Sequence, residues 1–77
     1  VPSDPLPDWV LTRRRAIGDA VRAARTAKKL SQETLGELTG LDRKTVNRIE
    51  QGTHPTTIDR LLLIADALDT PLADLVR

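Results

Sequence analysis

The stretch from Leu30 to Gly52, LSQETLGELTGLDRKTVNRIEQG, constrains the fold more than any other part of this chain. It reads as two short helices that meet across a glycine turn, and neither can bury its apolar face alone. Ser31 is an N-cap whose hydroxyl can accept from one of the unpaired N–H groups of the first helical turn. Leu30 and Leu35 flank it at the spacing of a hydrophobic staple. The pattern repeats at Asp42, between Leu41 and Val46. Gly40 stands where the chain turns sharply, a position that favours positive φ. Gly36, one turn into the first helix, costs about 1 kcal/mol of helix propensity relative to alanine. Its presence implies close approach by another backbone. With Val46 and Ile49 on the inward side of the second helix, the layout is that of a helix-turn-helix spanning residues 31–51.

On these residues the chain resembles a known family. Leu30-Ser31-Gln32-Glu33, Gly40-Leu41, Arg43-Lys44-Thr45-Val46, Ile49-Glu50-Gln51-Gly52 and Ala65-Asp66-Ala67-Leu68 occur in the order and spacing of the Cro/repressor-type (XRE-like) helix-turn-helix domain. The resemblance covers residues 13–76. It implies an all-α, compact five-helix bundle of the lambda-repressor-like DNA-binding type, with the second motif helix inserted into the major groove.

Composition narrows the alternatives. Seventy-seven residues make one domain near the lower limit at which a core folds without staples. The absence of cysteine excludes disulfides and thiolate metal sites. Trp9 is the only aromatic residue, so the core must be aliphatic, and a base-stacking platform for single strands is not expected. No apolar run approaches the length of a membrane span. A cytoplasmic protein without a membrane partner is therefore expected. The formal net charge is only +1, but it is polarised: apart from Arg60 and Arg77, every Lys and Arg lies at or before Arg48. Asp59, Asp66, Asp69 and Asp74 follow, so one basic end can face phosphate while an acidic end faces away.

Residues 1–7, with Pro2, Pro5 and Pro7, read as an extended N-terminal arm, and residues 8–77 as the DNA-binding domain. Pro7-Asp8 suits a helix start, and Thr12 is a competing one. Val10, Ile17, Val21 and Ala24 keep one face apolar to about Lys28, with Gly18 as a weak point. After the Gly52 cap and a loop around Pro55, Thr57 caps a fourth helix whose core face is expected to be Ile58, Leu61, Leu62, Ala65 and Leu68. Leu63 falls on its outer side. Asp69 replaces a turn glycine, and Thr70-Pro71 opens a last short helix carrying Leu72, Leu75 and Val76.

Val46 and Ile49 point inward, which leaves Arg43, Lys44, Asn47, Arg48 and Gln51 outside. Arg and Lys suit guanine O6 and N7, and Asn or Gln suits adenine N6 and N7. The expected base contacts are Arg43, Lys44, Asn47 and Arg48. Gln32, Thr45, Lys28, Arg15 and Gln51 are the expected phosphate contacts, Gln32 by the family resemblance and with help from the helix N-terminus. Arg25 and Glu50, each at the edge of an inward face, are expected to form a buried ion pair, and the family often has a cation and a carboxylate at these positions. His54 has no second ligand to share a metal, and neither metal, cofactor nor enzymatic activity is expected. The expected partners are double-stranded DNA and a second copy of the chain, with Leu63, Leu72, Leu75 and Val76 as apolar contacts for a protein. The competing reading is a protein-interaction or antitoxin-like module on the same fold. Such a module should lose its recognition-face cations, and this chain keeps Arg43, Lys44 and Arg48.

Overall fold

The computed structural model describes residues 5–77 and contains five helices: α1 Asp8–Ala27, α2 Gln32–Thr39, α3 Arg43–Gln51, α4 Ile58–Ala67 and α5 Leu72–Val76. Of the expected N-terminal arm, residues 1–4 lie outside the described residues, and Pro5, Leu6 and Pro7 are exposed and without regular structure.

Local chemistry sets the helix ends. The Pro7 carbonyl accepts from the Val10 N–H at 3.0 Å, so α1 starts at Pro7-Asp8 and runs through Thr12. Ser31 Oγ accepts from the Thr34 N–H at 3.0 Å, Asp42 Oδ1 from Thr45 N–H at 2.7 Å, and Thr57 Oγ1 from Arg60 N–H at 3.1 Å. Each bond satisfies an otherwise orphaned donor of a first helical turn. Gly40 ends α2 with φ 75°. Asp69 takes φ 49° after α4, the left-handed role that its short polar side chain tolerates.

The core is a single aliphatic cluster of Val21, Leu35, Val46, Ile49, Leu61, Ile64, Ala65, Leu68 and Leu75. A fully buried leucine such as Leu35 contributes about 1.5–3 kcal/mol relative to an exposed one. α3 is held between α1 and α2, while α4 packs on α2 and α5.

The fourth helix departs from expectation. Ile58 is 70% exposed and Leu62 is 49% exposed, whereas Ile64, absent from the expected face, is fully buried. The run Leu61-Leu62-Leu63-Ile64-Ala65 offers two apolar stripes at helical spacing. Packing against α2 and α5 selects the stripe Leu61, Ile64, Ala65 and Leu68. Leu75 likewise belongs to the core, 2% exposed, and is not a free contact for a partner; Leu72 and Val76 are half-buried against the same cluster. Leu63 stays outside, 47% exposed.

Two glycines mark backbone crossings. A Cβ on Gly36 would lie 2.5 Å from the Leu41 carbonyl oxygen, the close approach expected of it. Gly18 is not a weak point but the place where α1 crosses the end of α3. A Cβ there would run into the carbonyl oxygens of Ile49 and Glu50.

Candidate nucleic-acid interface

α3 is short, capped at both ends and strongly two-sided. Val46, Ile49 and Glu50 are buried; Arg43, Lys44 and Gln51 are exposed, and Thr45, Asn47 and Arg48 are half-buried. Arg43, Lys44 and Asn47 together line one surface depression. Thr45 and Arg48 line a second with Ile49, His54, Pro55 and Arg60. Arg60 thus adds a cation that sequence reasoning assigned to the acidic half. Its signal was its position three residues after the Thr57 cap, in the first turn of α4 beside the loop from α3.

Two of the expected phosphate contacts lie on or at the end of α1. Lys28 is exposed at the C-cap of α1, in the turn leading to α2. Arg15 is exposed on α1, and its backbone lies against Gly52 at the end of α3. The three successive arginines separate as helix geometry requires. Arg13 Nη2 donates to the Val76 carbonyl at 2.8 Å and so closes the end of α5, and Arg13 and Arg14 both line an apolar groove with Trp9, Val10 and Ile17.

Behind the face lies a polar cluster centred on Glu50, whose side chain has no exposed surface. Arg25 Nε donates to Oε2 at 2.6 Å and Arg25 Nη2 to Oε1 at 3.0 Å, a two-pronged pair with fork geometry. Arg25 Nη1 also donates to the Leu30 carbonyl at 2.7 Å, so one guanidinium ties α1, the α1–α2 turn and α3 together. Arg22, half-exposed, adds a longer contact of 3.3 Å to Oε1. Burial pushes the Glu50 carboxyl up, but hydrogen bonds from Arg25 and Gln32, the Arg25 charge and the Arg22 hydrogen bond outweigh it. The carboxyl is held below its ordinary pKa and stays ionised at neutral pH. Its hydrogen bond to Glu50 raises the Arg25 pKa against the opposing effect of burial. At the other end of α3, hydrogen bonds from the Thr45 side chain and backbone lower the Asp42 pKa, which keeps the cap charged at the positive helix end.

Gln32 belongs to this cluster as well. Its Nε2 donates to Glu50 Oε1 at 3.1 Å and to Asn47 Oδ1 at 3.1 Å. The amide therefore spends both donors inside the protein. The Gln32 amide oxygen and its backbone N–H, in the first turn of α2, have no partner among the described residues.

Two capped helices across a left-handed glycine, with a cationic outer face and a buried ionic brace, define a DNA-binding helix-turn-helix domain. A family model described as helix-turn-helix matches residues 21–75, and the chain belongs to that family, whose members are DNA-binding transcriptional regulators and not enzymes. The control protein C.SmaI of Serratia marcescens is 32% identical over 63 residues, which cover 82% of this chain and 75% of that protein. The crystal structure of the restriction-modification controller protein C.AhdI of Aeromonas hydrophila superposes with a TM-score of 0.80 at 41% identity, covering 83% of this chain and 97% of that one. The P22 c2 repressor, solved in complex with a synthetic operator, shares the fold at a TM-score of 0.74 and 24% identity, over 79% of this chain and 92% of its own. No helix among the described residues is long and apolar enough to cross a membrane.

Proposed function

We propose that this chain is a sequence-specific regulator that places α3 in the DNA major groove as a homodimer on a roughly palindromic operator. The observation that carries the reading is the concentration of Arg43, Lys44, Asn47 and Arg48 on the outer side of a helix whose inner side is wholly buried. Arg43, Lys44 and Arg48 supply donors for guanine O6 and N7. Arg15, Lys28, Thr45 and Gln51 ring that face and engage phosphate. Gln32 joins them through its backbone N–H, favoured by the positive end of the α2 dipole. One recognition helix reads only a few base pairs, so useful specificity calls for two half-sites about 34 Å apart. Leu63 and the exposed sides of Leu72 and Val76, with Leu62 and Ile58 on the outer face of α4, remain for contact between copies. The likeness to C.SmaI and C.AhdI supports a cytoplasmic regulator of the controller-protein kind. A protein-binding module would have exchanged the cations of α3 for apolar residues.

Binding isotherms on matched and mismatched duplexes at two salt concentrations test the assignment. Arg43→Ala should cost about 1–3 kcal/mol and relax preference at one position, while Lys28→Ala should weaken all sequences alike and lower the salt slope by about 1. Equal losses on every sequence for Arg43, Lys44 and Arg48 would remove them from base reading. A footprint confined to one half-site at saturating protein would count against the homodimer.

A further inference from the structure

The cluster behind the recognition helix does more than hold helices together. A side-chain amide is ordinarily ambiguous, because its oxygen and nitrogen are nearly interchangeable in shape and only the hydrogen-bond network distinguishes them. Here the network leaves one solution. Glu50 is fixed as a carboxylate by the two-pronged Arg25 pair, and an ionised carboxylate only accepts. The Gln32 atom 3.1 Å from Glu50 Oε1 must therefore be the nitrogen. That same nitrogen is 3.1 Å from the Asn47 side chain, so the Asn47 atom that meets it must be the oxygen. The Asn47 oxygen faces inward to Gln32, and its NH2 group has no partner among the described residues.

We infer that the chain Glu50–Gln32–Asn47 sets the polarity with which Asn47 reads DNA: its NH2 faces the groove, making it a donor for a base edge that presents acceptors, guanine O6 and N7 or thymine O4. Asn47 lines the outer depression with Arg43 and Lys44, so the amide is placed where a base edge passes. The bidentate asparagine–adenine pair needs the amide oxygen and nitrogen side by side on N6 and N7. With its oxygen turned inward to Gln32 and its NH2 outward, Asn47 does not present the two atoms side by side to adenine. Gln32 and Glu50 are positioning residues in this scheme, and Asn47 is the reader. The inference rests on the DNA-binding reading above, and it corrects the adenine pairing that the asparagine side chain suggests on its own.

Two measurements test it. In the free protein, side-chain amide exchange by NMR should show the Gln32 NH2 protected and the Asn47 NH2 exchanging at the rate of an exposed amide. The reverse order would overturn the orientation, whether or not any DNA is bound. On a duplex selected by the parent protein, the base that responds to Asn47→Ala should be guanine or thymine, preferred over adenine or cytosine by about tenfold or more, within the range of a good base contact. Gln32→Ala frees the amide to rotate and should reduce that preference to within about twofold at this position, leaving preferences at the other positions unchanged. Asn47→Asp keeps one oxygen on Gln32 and turns a second toward the groove, so preference should move to cytosine or adenine, whose N4 or N6 amino group donates. This substitution lies outside the ion pair and covers the case in which Gln32→Ala does not fold. A base preference at that position unaltered by Gln32→Ala or by Asn47→Asp overturns the inference while the DNA-binding reading stands. Failure of the parent to prefer any duplex removes the DNA-binding reading itself.

Discussion

Glu50→Leu should be among the most destabilising single polar substitutions in this domain. The side chain has no exposed surface, and it is held by two Arg25 bonds of 2.6 and 3.0 Å, a Gln32 bond of 3.1 Å and an Arg22 contact of 3.3 Å. Its removal strands the Arg25 guanidinium, whose side chain is only 12% exposed. Breaking one half of a buried pair typically costs about 3–5 kcal/mol. At about 0.05–0.15 kcal/mol per residue, 77 residues carry roughly 4–12 kcal/mol in total. The substitution thus removes about a quarter of the stability at least, and all of it at the low end. Arg25→Met strands Glu50 instead and also frees the Leu30 carbonyl, so its cost should be similar. The double variant removes both charges and should recover part of the loss, giving a coupling of about 1–3 kcal/mol. Arg22→Ala is the internal control: its partner contact is long and its side chain half-exposed, so it should cost about 1 kcal/mol or less. Urea denaturation followed by far-UV circular dichroism at neutral pH, with unchanged m-values, supplies these differences. Single losses below about 0.5 kcal/mol for both Arg25→Met and Glu50→Leu would refute the reasoning, because substitutions at an exposed pair fall in that range.

The same cluster sets a pH dependence. The folded state lowers the Glu50 pKa below its unfolded value, so the stabilisation is complete above the ordinary glutamate pKa and is lost as pH falls through the lower folded value. Urea midpoints measured from neutral to acid pH should fall in that window, and a parallel fall in Glu50→Gln would assign the effect to other carboxyls. Gly18→Ala should cost about 1–3 kcal/mol despite alanine's better helix propensity, since the new methyl meets the Ile49 and Glu50 carbonyl oxygens; an unchanged urea midpoint would contradict that crossing. On α4, Ile64→Ala should cost about 2–5 kcal/mol and Leu62→Ala less than about 1 kcal/mol, and equal losses by thermal melting would mean the helix is rotated from the described face.

The motif was legible because its signals are local. Ser31, Asp42 and Thr57 cap within three residues of themselves, and Gly40 answers a backbone demand that no neighbour can change. α4 was harder because Leu61-Leu62-Leu63-Ile64-Ala65 carries two apolar stripes, and only packing against α2 and α5 chooses between them. Gly18 misled for a related reason: helix propensity is a property of one helix, whereas its use here depends on a crossing more than thirty residues away. On the recognition face, outward placement of Arg43, Lys44, Asn47 and Arg48 followed from the inward pair Val46 and Ile49. The direction of the Asn47 amide did not, because it is set by Gln32 from another helix and, through it, by Glu50. Arg60 was hidden in the same way, brought beside Arg48 by the loop between α3 and α4.

The most direct test of the central claim is selection of duplexes from a random library at stated salt, followed by competition of the enriched sequence against its scrambled counterpart. The account predicts one enriched site, two inverted half-sites about one helical turn apart, bound at least about a thousandfold more tightly than the scramble. No enrichment, or selected and scrambled duplexes bound within about twofold of one another, would contradict it.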